Sequence, residues 1–330
     1  VIAALALACA ACGSTAGPKS SSGTSAATAT GTAAGQTATA SGTGTSTAPA
    51  LPGTGKPVVT IGDKNYTEQF VLGQLYLQAL QAQGFNVNLD ENIGPTEVTV
   101  QALDTGALAM YPEYLNVFDS DIAGYRHGFR SSLDAYAAAE HYALAHGLEL
   151  LTPTPFSDTD AIAVTVAFAA ANHLRTIRDL RRVESQLTLG GPPQFQQGSP
   201  GLPALEAAYG VTPTAFKSLA VGDQYNELDA DVVQAADVDT TDGELASGDY
   251  AVLTDPRNIF GWGSIVPVIS TKALSEEGPA FEETINRVDA TLTTAVMRQL
   301  NQAVDVAKLD PAAVATQYLQ THGLLAPLTS

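Results

Sequence analysis

Cysteine is almost absent from this chain: Cys9 and Cys12, both in the first dozen of 330 residues, are all there is. Everything beyond them is without disulfide or thiol chemistry, so a folded part must be held by its core alone. Basic residues are few, 15 against 34 acidic ones, giving a formal charge of −19. That balance argues against nucleic acid or anionic lipid as a partner of the folded part. Long apolar runs are missing too; the opening VIAALALACAACGSTAG is apolar over too short a stretch to span a bilayer. The five histidines, at 127, 141, 146, 173 and 322, show no His-Glu-x-x-His and no metal-ligand spacing. There is no Walker loop and no Gly-x-Ser-x-Gly elbow, so no cofactor, metal or catalytic residue is expected.

What is present begins with that apolar opening, which reads as the end of a secretory signal. Ala10 and Ala11 before Cys12 resemble the bacterial lipobox, with Cys9 where leucine is usual. The expectation is a lipid on Cys12 that anchors the protein to the outer face of the bacterial cytoplasmic membrane; the alternative is ordinary cleavage nearby. Residues 13–56 are almost only Ser, Thr, Ala and Gly with scattered Pro and Gln, a composition expected to form a flexible tether.

The remainder reads as α/β. VVTIG (58–62) is a β-branched run ending in glycine, and so a buried strand. In the following NYTEQFVLGQLYLQALQAQG, Thr67 is the expected N-cap and Gly84 the stop of a helix. FNVNLDE alternates like an edge strand, Thr96 caps a short helix, and ALAMYPEY gives a third strand. This β-α-β-α-β order predicts a parallel sheet with its ligand crevice beyond the carboxyl ends of the strands. An Ala-rich helix at 133–147, a strand at 161–168 and a helix at 176–183 come next. Strands at 250–255 and 264–270 are expected to return to the first domain, ahead of helices at 279–304 and 311–322. The expected organisation is one lobe from 57–157 and 250–330, with a second lobe, 158–249, inserted in it.

Several stretches carry a resemblance. TIGDKNYTEQFVLGQLYLQAL, IGPTEVTVQALDTGALAMYPEY, LTLGGPPQF…GLPALEAAYGV, DVDTTDGEL and LNQAVDVAKLDPAAVATQYLQTHGLL together resemble substrate-binding lipoproteins of ABC importers for glycine betaine, choline, carnitine and related quaternary amines. The resemblance covers 58–325 in order. It implies a periplasmic-binding-protein-like (type II) clamshell, with two lobes of mainly parallel sheet joined by crossing strands and closing on ligand. It further implies a small cationic or zwitterionic solute, and permease subunits as partners. The family's usual site is a cage of tyrosines around a trimethylammonium group, with a cation and a hydroxyl on the carboxylate. A quaternary ammonium has no N–H to donate, so aromatic faces and carboxylates are what recognise it.

Transferred residue by residue, the resemblance assigns Lys64 to a ligand carboxylate and Tyr114 and Tyr225 to the cage. The other two cage positions hold Asp160 and Asp239. The expected arginine is replaced by Gly198 or Ser199, and the expected hydroxyl by Val117, with Asn116 as a substitute. Tyr66, Tyr111 and Thr96 lie at strand ends or a helix start and are further candidates, and Asp158 is a possible inward alternative to Asp160. Trp262 lies where the chain should recross between lobes. Two acids in place of tyrosines favour a fully charged cation, better still one with N–H donors. Two rivals stay open: the same scaffold binding a polyol or phenolic compound through its acids, and a secreted enzyme with Asp160 and Asp239 facing each other across the cleft.

Overall fold

The computed structural model describes residues 50–198 and 200–328. Ten strands form two five-stranded sheets. The first contains β1 (Val58–Gly62), β2 (Asn86–Asp90), β3 (Met110–Tyr114), β4 (Leu148–Leu150) and β10 (Ile265–Ser270), in the order β2-β1-β3-β10-β4. The second contains β5 (Asp160–Thr165), β6 (Thr188–Gly191), β7 (Ala215–Ser218), β8 (Ala235–Asp239) and β9 (Tyr250–Leu253), in the order β7-β6-β8-β5-β9. Each sheet is parallel except for one reversed strand. In the first it is β10, antiparallel to β3 and β4; in the second it is β5, antiparallel to β8 and β9. These reversed strands are the two that bring the chain in from the other lobe.

Helices cover both faces of each sheet, as a sheet with two apolar faces requires. On the first lobe, the helix Thr67–Ala82 buries Val71, Leu72, Leu75, Tyr76, Ala79 and Leu80 at 0% exposure, a stripe one helical face wide. Each such side chain stabilises the fold by about 1.5–3 kcal/mol. The helix stops where Gly84 takes φ +83°, a conformation that costs glycine nothing. Its N-cap is Tyr66 rather than Thr67, whose hydroxyl is drawn off to Asp305.

Four expectations need correction. Residues 50–56 are not tether: Gly53 N donates to Gln83 O and Lys56 Nζ to Glu276 O, which seats them on the first lobe. The strand at 250–253 pairs with β5, so it completes the second sheet and the chain returns to the first lobe only after it. The run expected as a strand to 168 turns helical at Val166, because the Thr165 hydroxyl accepts from Phe168 N and caps a helix there. The tail is not one helix: Pro279–Asp289 ends before Thr293, which caps the separate helix Thr294–Asn301. The expected signal and the expected lipid attachment at Cys12 fall outside the described residues; among the described ones, no helix is long and apolar enough to cross a membrane.

Two segments join the lobes, 151–159 and 254–264, and they run hydrogen-bonded to one another. Asp158 N donates to Gly263 O (2.9 Å) and Gly263 N to the Ser157 hydroxyl (3.0 Å). Thr154 and Ile265 exchange a further pair of bonds at 2.9 Å. A Cβ on Gly263 would stand 1.8 Å from the Asp158 carbonyl oxygen, so only glycine permits this approach.

Candidate functional site

A cavity of about 720 Å³ lies where the carboxyl ends of the parallel strands of both sheets meet the two crossing segments. The first lobe contributes Tyr66, Thr67 and Glu68 after β1, Tyr114 and Asn116 after β3, and Asn301, Asp305 and Lys308 from the C-terminal helices. The second lobe contributes Asp160, Tyr225, Asp239, Thr241, Asp242 and Glu244, and Asp158 comes from the crossing segment itself. Tyr66 and Tyr114 stack with ring centroids 6.0 Å apart. The wall thus holds three tyrosines and seven carboxylates, against the single ammonium of Lys308.

Hydrogen bonds fix much of this wall. Tyr114 Oη donates to Glu68 Oε1 (3.0 Å), while Asn301 Nδ2 donates both to Glu68 Oε2 (3.0 Å) and to Thr241 O of the second lobe (2.9 Å). Tyr225 Oη donates to Asp242 Oδ2 (2.7 Å), which also accepts from Asp239 N (3.1 Å). Arg298, on the same helix as Asn301, donates to Thr240 O (2.8 Å). Together they tie the first lobe's C-terminal helix to the turn after β8.

Burial beside so many like charges raises the carboxyls. Asp160 and Asp242 are pushed up to about 6 and Glu68 to about 7, burial being the main cause in each. Asp158 and Asp239 are pushed further, by burial and then by neighbouring carboxylates: Glu68 for Asp158, and Asp158, Asp242 and Asp160 for Asp239. None of the ion pairs among the described residues uses any of these groups. The Arg298 guanidinium acts on Asp158 and Asp242 from beside the turn after β8, and a cation entering the cavity would supply the rest of the charge these acids lack.

A pH dependence follows, with opposite signs for the free and the liganded protein. Raised carboxyls hold more protons in the folded state than in the unfolded chain. Their contribution to stability is full below the ordinary carboxylate range of about 4 and is lost as pH rises through 6–7. The melting temperature of the unliganded protein is thus expected to fall between pH 5 and pH 8. The additional stabilisation by a small organic cation, with tetramethylammonium as the probe, is expected to grow across the same window, because a cation in the cavity favours the ionised form of these acids. Calorimetric melts at pH 5, 6, 7 and 8 check both; a ligand effect that shrinks with pH would contradict the electrostatic account.

Of the residues expected at the site, the structure brings Tyr66, Tyr114, Asn116, Asp160, Tyr225 and Asp239 to the cavity wall, together with Asp158. It does not bring Lys64. That side chain is 1% exposed, and its Nζ is bound to Glu113 Oε1 at 2.5 Å. Burial pushes the Glu113 carboxyl up and Lys64 opposes this. An ammonium beside a carboxylate in the interior is held there and has no reach to a ligand. Tyr111 is likewise withdrawn: it is fully buried and donates to Glu113 Oε2 (3.2 Å). Thr96 opens a helix on another flank of the first lobe, lining a separate cavity of about 270 Å³. Trp262 packs in the first lobe's core and Gly198 is not in the wall; Ser199 lies outside the described residues. Asp160 and Asp239 do not face each other across the cleft, as an acid–base pair would. They are direct partners on adjacent strands of one sheet. Glu68, Asp242, Thr241, Asn301 and Asp305 were not expected.

Two lobes of matching strand order, hinged by a pair of crossing segments over a shared cavity, define a type II solute-binding protein. Residues 57–321 match the family described as the substrate binding domain of ABC-type glycine betaine transport system, and the chain belongs to it. It is 30% identical to the glycine betaine-binding protein YehZ of Escherichia coli, over 84% of this chain and 94% of that one. The glycine-betaine-binding protein of Pseudomonas aeruginosa is 29% identical, over 80% of this chain and 88% of its own length. The structure of apo YehZ superimposes with a TM-score of 0.70, at 29% identity, covering 81% of this chain and 99% of the other. As a member of the family the chain is the substrate-binding component of an ABC importer, acting outside the cytoplasm and delivering its solute to a membrane permease.

Proposed function

We propose that this protein captures a small organic cation of the quaternary-amine kind, choline being the simplest, and that closure of the lobes is driven by neutralisation of the cleft. The observation that carries this is the wall of seven carboxylates and three tyrosines with one ammonium at its rim. Glu68 and Asp305 belong to one lobe, Asp160, Asp239, Asp242 and Glu244 to the other. Closing the cleft empty would force them together, whereas a cation between them favours the closed state by its differential affinity. Aromatic faces attract the cation at about 0.5–2 kcal/mol each. With Lys64 sequestered, Lys308 is the one cation in the wall for a ligand carboxylate, so choline fits this site better than glycine betaine. The reading assigns no bond-making step to the protein. It takes Cys12 as the lipidated residue that holds the protein at the membrane.

Titration calorimetry with choline, glycine betaine and sorbitol tests this on the full chain. Choline is expected to bind most tightly. Asp160→Asn and Asp239→Asn are each expected to weaken it by about 5- to 30-fold, some 1–2 kcal/mol, while leaving any sorbitol binding within about two-fold. Tight sorbitol binding with no response to choline would replace the cation with a polyol; equal losses for both ligands would remove the two aspartates from the site.

A further inference from the structure

The Asp160–Asp239 pair is more than a general source of negative charge. The two residues are direct cross-strand partners in the register of β5 and β8. Like charges placed so destabilise a sheet, and relief comes from a proton or from a cation between them. Neither carboxylate accepts a hydrogen bond from any described residue, while Glu68, Asp158, Asp242 and Asp305 all do. Two residues before Asp239, and therefore on the same face of the sheet, stands Asp237. It is 5% exposed and its Oδ1 has no partner. Burial, then the charges of Asp160 and Asp239, push its carboxyl up to about 10. Beside it, at the carboxyl end of β6, Gly191 leaves room: a Cβ there would stand 3.0 Å from Asp237 Cβ. The other lobe contributes a second orphan acceptor to the cavity wall, Oδ1 of Asn301, a residue 4% exposed.

Asp160 and Asp239 are open to the cavity, whereas the oxygens of Asp237 and Asn301 are buried acceptors without donors, which cost stability until a donor arrives. A trimethylammonium group has no hydrogen to give them, so it serves the tyrosines but not this end. An ammonium or guanidinium carries several N–H donors and forms charge-assisted bonds with carboxylates. The cavity, at about 720 Å³, has the size of sites that take ligands well above a betaine in length.

We propose that the cleft holds a second cationic subsite, formed by Asp160 and Asp239 and backed by Asp237, for an N–H-bearing ammonium or guanidinium group. The solute is then an organic dication, one end against Tyr66, Tyr114 and Tyr225 and the other at the aspartates. This rests on the cation reading above and narrows it.

A matched pair of probes tests it on the full chain: (3-aminopropyl)trimethylammonium and (3-hydroxypropyl)trimethylammonium, which differ only in an ammonium against a hydroxyl. At pH 7.5 the amine is expected to bind at least about ten-fold more tightly than the alcohol. In the Asp160→Asn/Asp239→Asn variant, checked for an unchanged fold by its melting curve, that preference is expected to fall to within about three-fold, with Asp237→Asn lowering it in part. The alcohol binding as well as the amine to the unaltered protein would overturn the subsite and leave the cation reading standing. A preference that survives in the double variant would overturn its assignment to these residues. Neither probe binding at millimolar concentration would overturn both readings.

Discussion

Lys64→Met is expected to lower the unfolding free energy by about 3–5 kcal/mol at pH 7, with little change in the ligand affinity of the molecules that remain folded. Lys64 and Glu113 are buried to 2% and 0% side-chain exposure and are bound to each other. Glu113 also accepts from Tyr114 N at 2.8 Å and from the Tyr111 hydroxyl. Removing the ammonium leaves a carboxylate that must either stay charged in the interior or take up a proton. The loss should therefore shrink below pH 5, and Lys64→Met/Glu113→Leu should recover most of it, since a buried ion pair can be replaced by apolar side chains at small cost. Urea denaturation at pH 5 and pH 7 measures both. The alternative assignment, in which the lysine grips a ligand carboxylate, predicts the reverse pattern of intact stability and lost binding. The Lys64 ammonium lies 5.6 Å from the Tyr114 ring centroid and 6.0 Å from that of Tyr66, beside the aromatic part of the cleft but not in its wall.

Gly263→Ala is expected to damage stability and binding together. The added carbon would overlap the Asp158 carbonyl at 1.8 Å, a backbone atom in the paired crossing segment that cannot swing aside like a side-chain tip. The two segments must separate, at the expense of their mutual hydrogen bonds and of the placement of Asp158 in the cleft. About 2–4 kcal/mol of stability and at least ten-fold in cation affinity should go. Gly128→Ala is the control: nothing lies within 4 Å of a Cβ there, and a change within about 0.5 kcal/mol is expected. Equal effects of the two substitutions would mean that the crossing segments tolerate separation.

Local patterns made most of the fold legible. β1, the glycine that ends the first long helix, and the alternation of the edge strand β2 all stand where the sequence puts them. Errors fall where a distant partner decides. Lys64 follows the end of a parallel strand, which does point toward a crevice. However, the adjacent pairing of β1 with β3 sets it next to Glu113, 49 residues away, and the nearest opposite charge captures it. Glu68 reads in sequence as an ordinary acid in a first helical turn, where the helix dipole alone would favour it. Its role in the cavity depends on Asn301, 233 residues further on. Asp160 and Asp239 were reached through the resemblance, but their contact as sheet neighbours needed the register. The Thr165 cap was available locally, in a threonine three residues before Phe168, and the apolar run around it masked the signal.

The reversed strand in each sheet bears on how the chain is made. β3 has an open edge until β10 arrives, some 150 residues later in synthesis, and β4 pairs with nothing but β10 among the described strands. A nascent chain that has emerged only through the second lobe holds a first sheet that is unfinished in the middle, with its outermost strand unattached. Non-local pairings of this kind are slow to form and prone to aggregate while they wait. A chain that settles only when its last fifth is present stays incompletely folded for a long interval, the state in which a polypeptide can be threaded across a membrane before it folds.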